Sequence, residues 1–316
     1  MSQDKGELNQ MQAFWHSLFA AAEDRLNYDA DDKQAEFPPN VVSALRLMRE
    51  PELPVSIHAL NQFSPGARRR IYRTLLPPDL LTTFNIDPIT WKGPDGQRHV
   101  TILAPADKGL VKIVARHAAD ARDPFAYLEL VDTSFNSINV VLLVLNDPYA
   151  ARFDTDLSED GQPTLFGTVH RNTAAEEAAM AAGLAPGQVR QGLRASGTAV
   201  QHMEAFFSML GHGAYYGEPL TYAAAILFEK RGFSYVRGRR AMETIDREFR
   251  PGGRLHQALD GSTPFRRPEQ WRTVRGRAWA IHDGILETIG MNWDSIRMSK
   301  RLGRHAGVDT FTDGVY

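Results

Sequence analysis

Apolar residues recur at three- and four-residue intervals from Leu8 through Met11, Phe14, Trp15, Leu18, Phe19, Ala22 and Leu26. That spacing predicts a helix with a wide buried stripe. The acidic stretch Asp29–Asp32 and Pro38-Pro39 close it, and Asn40 can cap a second helix to about Arg49,. Ser64-Pro65 is a cap followed by a proline at the first helical position, which predicts a third helix to Leu76 that Pro77-Pro78 stops,. Residues 1–86 therefore read as an N-terminal helical extension.

The pattern then shortens. Ile89–Trp91 and His99–Ala104 flank the turn Gly93-Pro94-Asp95-Gly96 and predict a hairpin,. Phe125–Asp132 and Ile138–Leu145 are strands by their β-branched and large apolar content, and Leu165–His170 alternates as a strand does,. Leu110–Arg116 fits strand or helix. Helices return at Thr173–Ala182, where Thr173 and Glu176 have capping-box spacing, at Thr198–Leu210, at Leu220–Lys230 and around Met242–Phe249,. Short strands are predicted at Phe233–Val236 and Thr273–Ile281. Loops too short for crossover helices make the central sheet mostly antiparallel. The expected class is α+β: a mixed, mostly antiparallel sheet flanked by helices, spanning residues 87–316 and compact with the helical extension.

Composition narrows the chemistry. The 316 residues contain no cysteine, which removes disulfides, thiolate nucleophiles and iron–sulfur ligation,. The formal charge of -2 makes nucleic acid and membranes unexpected partners,. The longest apolar run, Val140–Leu145, is far below a membrane span of about 20 residues, and Met1–Gln10 is polar and acidic,. A cytoplasmic protein is the expectation. The charge is uneven, however: Arg231 to Tyr316 holds 16 Lys+Arg against 10 Asp+Glu, leaving 20 against 28 for the rest. An arginine-rich end suits a small anionic ligand.

Common motifs are absent. There is no His-Glu-x-x-His, no Gly-x-Ser-x-Gly and no Gly-x4-Gly-Lys-Ser/Thr, and no metal is expected,. Asp154, Asp156, Ser158 and Asp160 start like a calcium loop, but Glu159 and Leu165 stand where glycine and glutamate are needed,. Gly211–Gly217 follows a helix, the wrong context for a dinucleotide loop,. Arg68–Arg73 lies within a helix whose Ile71, Tyr72, Leu75 and Leu76 face inward.

One constellation remains. Arg194-Ala195-Ser196-Gly197-Thr198-Ala199 opens an amphipathic helix carrying Val200, Met203, Phe206, Phe207 and Leu210 on one face. Free backbone N–H groups at such a start, the helix dipole and an arginine can form an anion pocket; a plain helix start with small packing residues gives the same pattern. Arg194-x-x-Gly197-x-Ala199 resembles the Arg/Gln-x-x-Gly-x-Gly/Ala motif of GNAT-type N-acetyltransferases, where this loop holds the pyrophosphate of acetyl-CoA. Ala224-Ala225-Ile226-Leu227-Phe228-Glu229-Lys230-Arg231-Gly232-Phe233 is similar to their second signature, a helix ending in Tyr-Glu-Lys-x-Gly-Phe followed by a strand. The likeness runs from Arg190 to Gly238.

The resemblance implies an acetyl-CoA- or other acyl-CoA-dependent transferase acting on an unknown small amine, or a degenerate relative that keeps the cofactor site. It also implies two parallel strands splayed apart, with the start of the Thr198 helix facing the gap. This chain departs from the family at Phe228, where a tyrosine often reprotonates the thiolate, at Thr221, where asparagine is common, and at the inserted segment 172–190. Substitute proton carriers are Tyr215, Tyr216, Tyr222, Glu218 and His170,. The competing expectation is a non-catalytic anion-binding or regulatory protein. In it Arg275, Arg277 and Trp279 would share a strand face, with His282 and Asp283 at its end,.

Overall fold

The computed structural model describes residues 55–167, 170–294 and 296–316. The helices expected over 8–26 and 40–49 lie outside them. The described residues fall into two units, 152–189 and the remainder.

The larger unit is built on one seven-stranded sheet: β1 Val100–Leu103, β2 Leu110–Ala115, β3 Ala126–Asp132, β4 Ile138–Leu145, β5 Ala214–Gly217, β6 Ser234–Arg237 and β7 Arg297–Arg301. Their spatial order is β1-β2-β3-β4-β5-β7-β6. All pairs are antiparallel except β4 and β5. Glu129 pairs with Leu142 and Leu130 with Val140, so Val141 is an extra residue and β4 carries a bulge,.

Helix α1 (Ile57–Leu60) is held at its start by Ser56 and by Asp132, whose carboxylate accepts from Ile57 N and His58 N. Helix α2 (Pro65–Tyr72) begins where Ser64 and Pro65 predict, and a 3-10 turn, Arg73–Leu75, extends it. Pro77-Pro78 does more than stop that helix: Pro78 starts helix α3 (Pro78–Thr83), since a proline at the first turn loses no hydrogen bond,. Leu75, Leu128, Leu143, Ala199 and Met203 line one apolar crevice, placing helix α5 (Ser196–Met209) against the β3–β4 face.

Asn61 staples α1 to the sheet. Its Nδ2 donates to the carbonyls of Pro105, Lys108 and Leu110, and its Oδ1 accepts from the Tyr72 hydroxyl at 2.6 Å. The residue is buried. Asn61→Ala strands several buried polar groups, so a loss of about 2–4 kcal/mol is expected in urea unfolding. A loss under about 0.5 kcal/mol would show that the staple is dispensable.

Three expected strands are corrected. Ile89–Trp91 is a turn, because the Asp87 carboxylate collects the N–H groups of Ile89 and Thr90 and Trp91 has φ 60. The hairpin reduces to a single bridge, Lys92↔Arg98. Leu165 and Phe166, with φ 48 and 61, form a turn within the 152–189 unit. Thr273–Ile281 is helical: Thr273 Oγ1 accepts from Gly276 N and caps α9 (Val274–His282). Seven residues of that helix are buried on every side, which erases the 3.6-residue period and leaves alternation by chance,. Gly276 is required, since a Cβ there would lie 2.4 Å from the Gln270 carbonyl oxygen.

The smaller unit contains helix α4 (Thr173–Ala181). Asn172, not Thr173, caps it, and Glu176 instead pairs with Arg171. The remaining helices of the larger unit are α6 (Tyr222–Lys230), α7 (Arg239–Phe249) and the short α8 (Arg254–Gln257). Among the described residues no helix is long and apolar enough to cross a membrane.

Candidate functional site

Among the described residues the β4–β5 pair is the only parallel one in the sheet, and it is brief. Asn139 registers with Tyr216 and Val140 with Gly217; there β5 ends. Further along β4, Asn146 bridges Gly192, and Leu193 N donates to the Leu145 carbonyl. On the side away from β3, Val141–Val144 thus form an edge that no strand among the described residues pairs, inside the sheet instead of at its border.

Helix α5 starts just past Gly192. Arg194 takes φ 57, Ala195 is the cap residue without a capping side chain, and Ser196, Gly197 and Thr198 open the first turn. The first three N–H groups have no acceptor among the described residues. Into this turn reaches Arg231, from the end of α6. Its Nη2 donates to Ser196 Oγ at 2.8 Å, and a Cβ on Gly197 would lie 3.2 Å from its Nη1. Arg231 Nε is buried without a hydrogen-bond partner. A guanidinium at the positive end of a helix opposes the dipole by about 0.3–1 kcal/mol, and a bound anion would reverse that sign. Ala199 is already part of the packed face.

The proton-carrier candidates separate by environment. Tyr215 is fully buried between Phe207 and Phe233, and burial pushes its phenol well above the usual range. Tyr222 is likewise buried, its phenol raised by desolvation, and its hydroxyl accepts from Arg277 Nη1 at 3.4 Å. Tyr216 and Glu218 are accessible and sit together: Arg297 lies 5.0 Å over the Tyr216 ring and 3.8 Å from Glu218. His170 is exposed in the 152–189 unit. Phe228 stacks on Phe233, and its ring covers Gly217, where a Cβ would come within 2.8 Å.

The C-terminal cluster forms no common face. Arg277 is buried and used internally, with Nε to the Trp271 carbonyl, Nη1 to Asp246 at 2.8 Å and the guanidinium 3.5 Å from the Phe311 ring centre. Trp279 stacks on Phe265, and His282 meets its edge. Asp283 forms a salt bridge with Arg266 and accepts from the Thr263 hydroxyl. Arg275 lies over Tyr316, its Nε without a hydrogen-bond partner.

Arg152 pairs with both Asp154 and Asp156, the carboxylates that begin like a calcium loop. No group of three or more metal-ligating side chains occurs among the described residues.

Sequence reasoning overlooked several polar groups. Arg231 stood inside the quoted motif without a role. Arg297 and Asn139 carry no motif. Lys112 and Glu129 interrupt the apolar runs Leu110–Val114 and Tyr127–Val131, the one visible sign that charge is buried in the sheet. No family model, curated protein or solved structure matches the chain.

Proposed function

We propose that the chain binds an acyl-coenzyme A and passes the acyl group to the amine of a small molecule. The observation that carries this reading is the Arg231 guanidinium docked on Ser196 at the start of α5, where free N–H groups and an unpaired Nε await an anion. That pocket lies at the Gly192 end of the open β4 edge. A pyrophosphate suits the pocket, and the amide-bearing arm attached to it suits an unpaired strand edge, which an extended chain can join through its backbone groups. The resemblance of Arg194–Ala199 and Ala224–Phe233 to the GNAT-type signatures points the same way.

In the transfer, a C–N bond forms at the thioester carbonyl and the C–S bond breaks. The amine gives up one proton and the thiolate gains one, so no further reactant enters. Tyr216 and Glu218 are the accessible candidates for moving these protons, since Tyr215 and Tyr222 are sealed in the core and Phe228 has no proton to give,. The competing reading, a non-catalytic anion-binding protein, keeps Arg275 as its support but loses Arg277 to internal pairing.

Titration with acetyl-CoA or CoA is expected to stabilise the chain by about 2.7 kcal/mol at a hundredfold excess over Kd, read as a rise in Tm. Gly197→Trp, which forces bulk against Arg231, and Arg231→Gln are each expected to suppress that rise. No stabilisation of the natural chain by either ligand would sink the proposal.

A further inference from the structure

On the sheet face away from α5, a second set of polar groups lacks partners. Tyr215 packs against Phe207 of α5, so its neighbour Tyr216 projects from the opposite face,. Asn139 is the register partner of Tyr216 on β4, and side chains of paired residues share a face,. Asn139 Oδ1 is buried and accepts no hydrogen bond. On the other side of β5, Arg297 covers the Tyr216 ring with its Nε buried and without a hydrogen-bond partner. The Glu218 carboxylate stands 3.8 Å from that Nε, too far for a hydrogen bond, and is half exposed,.

A fifth residue sharpens the pattern. Arg237 is the register partner of Arg297 across β6 and β7, so the two arginines leave the sheet side by side on one face,. Like charges in that relation repel, and none of the salt bridges among the described residues reaches Arg237,. The patch therefore runs from an unmet acceptor on β4, across a half-buried phenol on β5, to a cation with an unmet donor on β7 and an exposed cation beside it on β6. A ligand that satisfies it carries an N–H donor at one end and an anion at the other.

We propose that this patch holds the acyl acceptor and that the acceptor is a free amino acid or a closely similar amino-carboxylate. Its carboxylate meets Arg297 and Arg237, where planar guanidinium forks favour two-oxygen anions. Its amine meets Asn139 Oδ1 and Glu218. That end lies at the last paired registers of β4 and β5, where the open edge of β4 begins, so the amine faces the place where a thioester arm would present its acyl group. Polyamines are disfavoured by the arginine pair. This assignment rests on the acyl-CoA reading for its chemistry, though the binding itself can be measured without it.

The test is ligand-observed NMR on the full chain, with and without CoA, using the twenty free amino acids, the decarboxylated amine of each as its carboxylate-free counterpart, and spermidine. At least one amino acid is expected to bind, its decarboxylated counterpart at least tenfold more weakly, and spermidine not at all. Arg297→Gln and Arg237→Gln are each expected to weaken that amino acid tenfold or more while CoA titrates as in the natural chain. Arg237 is exposed, so its variant reports on binding even if Arg297→Gln fails to fold. The inference is overturned if no amino acid binds, if the amines bind equally well, or if Arg237→Gln changes nothing. A chain that binds amino acids but not CoA retains the patch and refutes the acyl-CoA reading; binding of CoA alone does the reverse.

Discussion

Arg277→Met is expected to destabilise the chain by about 3–5 kcal/mol, because it removes at once the buried donors to the Trp271 carbonyl, the Tyr222 hydroxyl and Asp246 Oδ1, although Arg250 still pairs with Asp246 Oδ2,. Arg277 is 1% exposed and serves four partners: Asp246, the Trp271 carbonyl, the Tyr222 hydroxyl and the Phe311 ring. Methionine replaces much of its volume but none of these donors. Lysine at 277 keeps the charge yet lacks the planar fork that reaches Asp246 and Trp271 together, so it should recover less than half of the loss. The comparison residue is Arg275, half-buried over Tyr316, where alanine is expected to cost no more than about 1 kcal/mol,. Urea midpoints of the three variants decide the matter. Equal effects at 275 and 277 would mean that the Arg277 network contributes little beyond surface packing.

The contrast shows what the sequence could and could not reveal. Period-two reasoning put both arginines on one strand face, but Val274–His282 is a helix buried on nearly all sides, and burial all round removes the periodic signal that separates the two structures,. The turn at Leu165-Phe166 was invisible for a related reason: positive φ in apolar residues leaves no compositional mark. By contrast, Ser64-Pro65 and the β-branched runs of β3 and β4 act locally, and each element starts or lies where its residues predict. Within the candidate site, glycine and small residues marked the start of α5. The arrival of Arg231 on Ser196, 35 positions away, and the parallel pairing of β4 with β5 are products of the sheet order. Spacing along the chain carries no trace of such contacts.

The second large effect is expected at Lys112 and Glu129, register partners on β2 and β3. Both are buried; Lys112 Nζ lies 3.8 Å from Glu129 Oε2, which also accepts from the Tyr127 hydroxyl at 2.7 Å. Desolvation raises the Glu129 carboxyl above its ordinary range, opposed by Tyr127 and Lys112, and lowers the Lys112 ammonium, opposed by Glu129. Lys112→Met removes one of the influences that keep Glu129 ionised. The cost is expected at about 3–5 kcal/mol near neutral pH, where the buried carboxylate loses its counter-charge. The sign of the pH dependence follows. A carboxyl whose folded pKa is raised binds its proton more readily when folded, so its contribution is full below the unfolded pKa and is lost as pH rises through the folded one. The deficit of Lys112→Met relative to the natural chain should therefore shrink at pH 5 and widen at pH 8. Adding Glu129→Gln removes the orphaned charge while keeping an acceptor for Tyr127, and the double variant is expected within about 1 kcal/mol of the natural chain. A double variant no more stable than Lys112→Met, or a deficit independent of pH, would mean that packing of the lysine stem, and not its charge, holds this part of the sheet together.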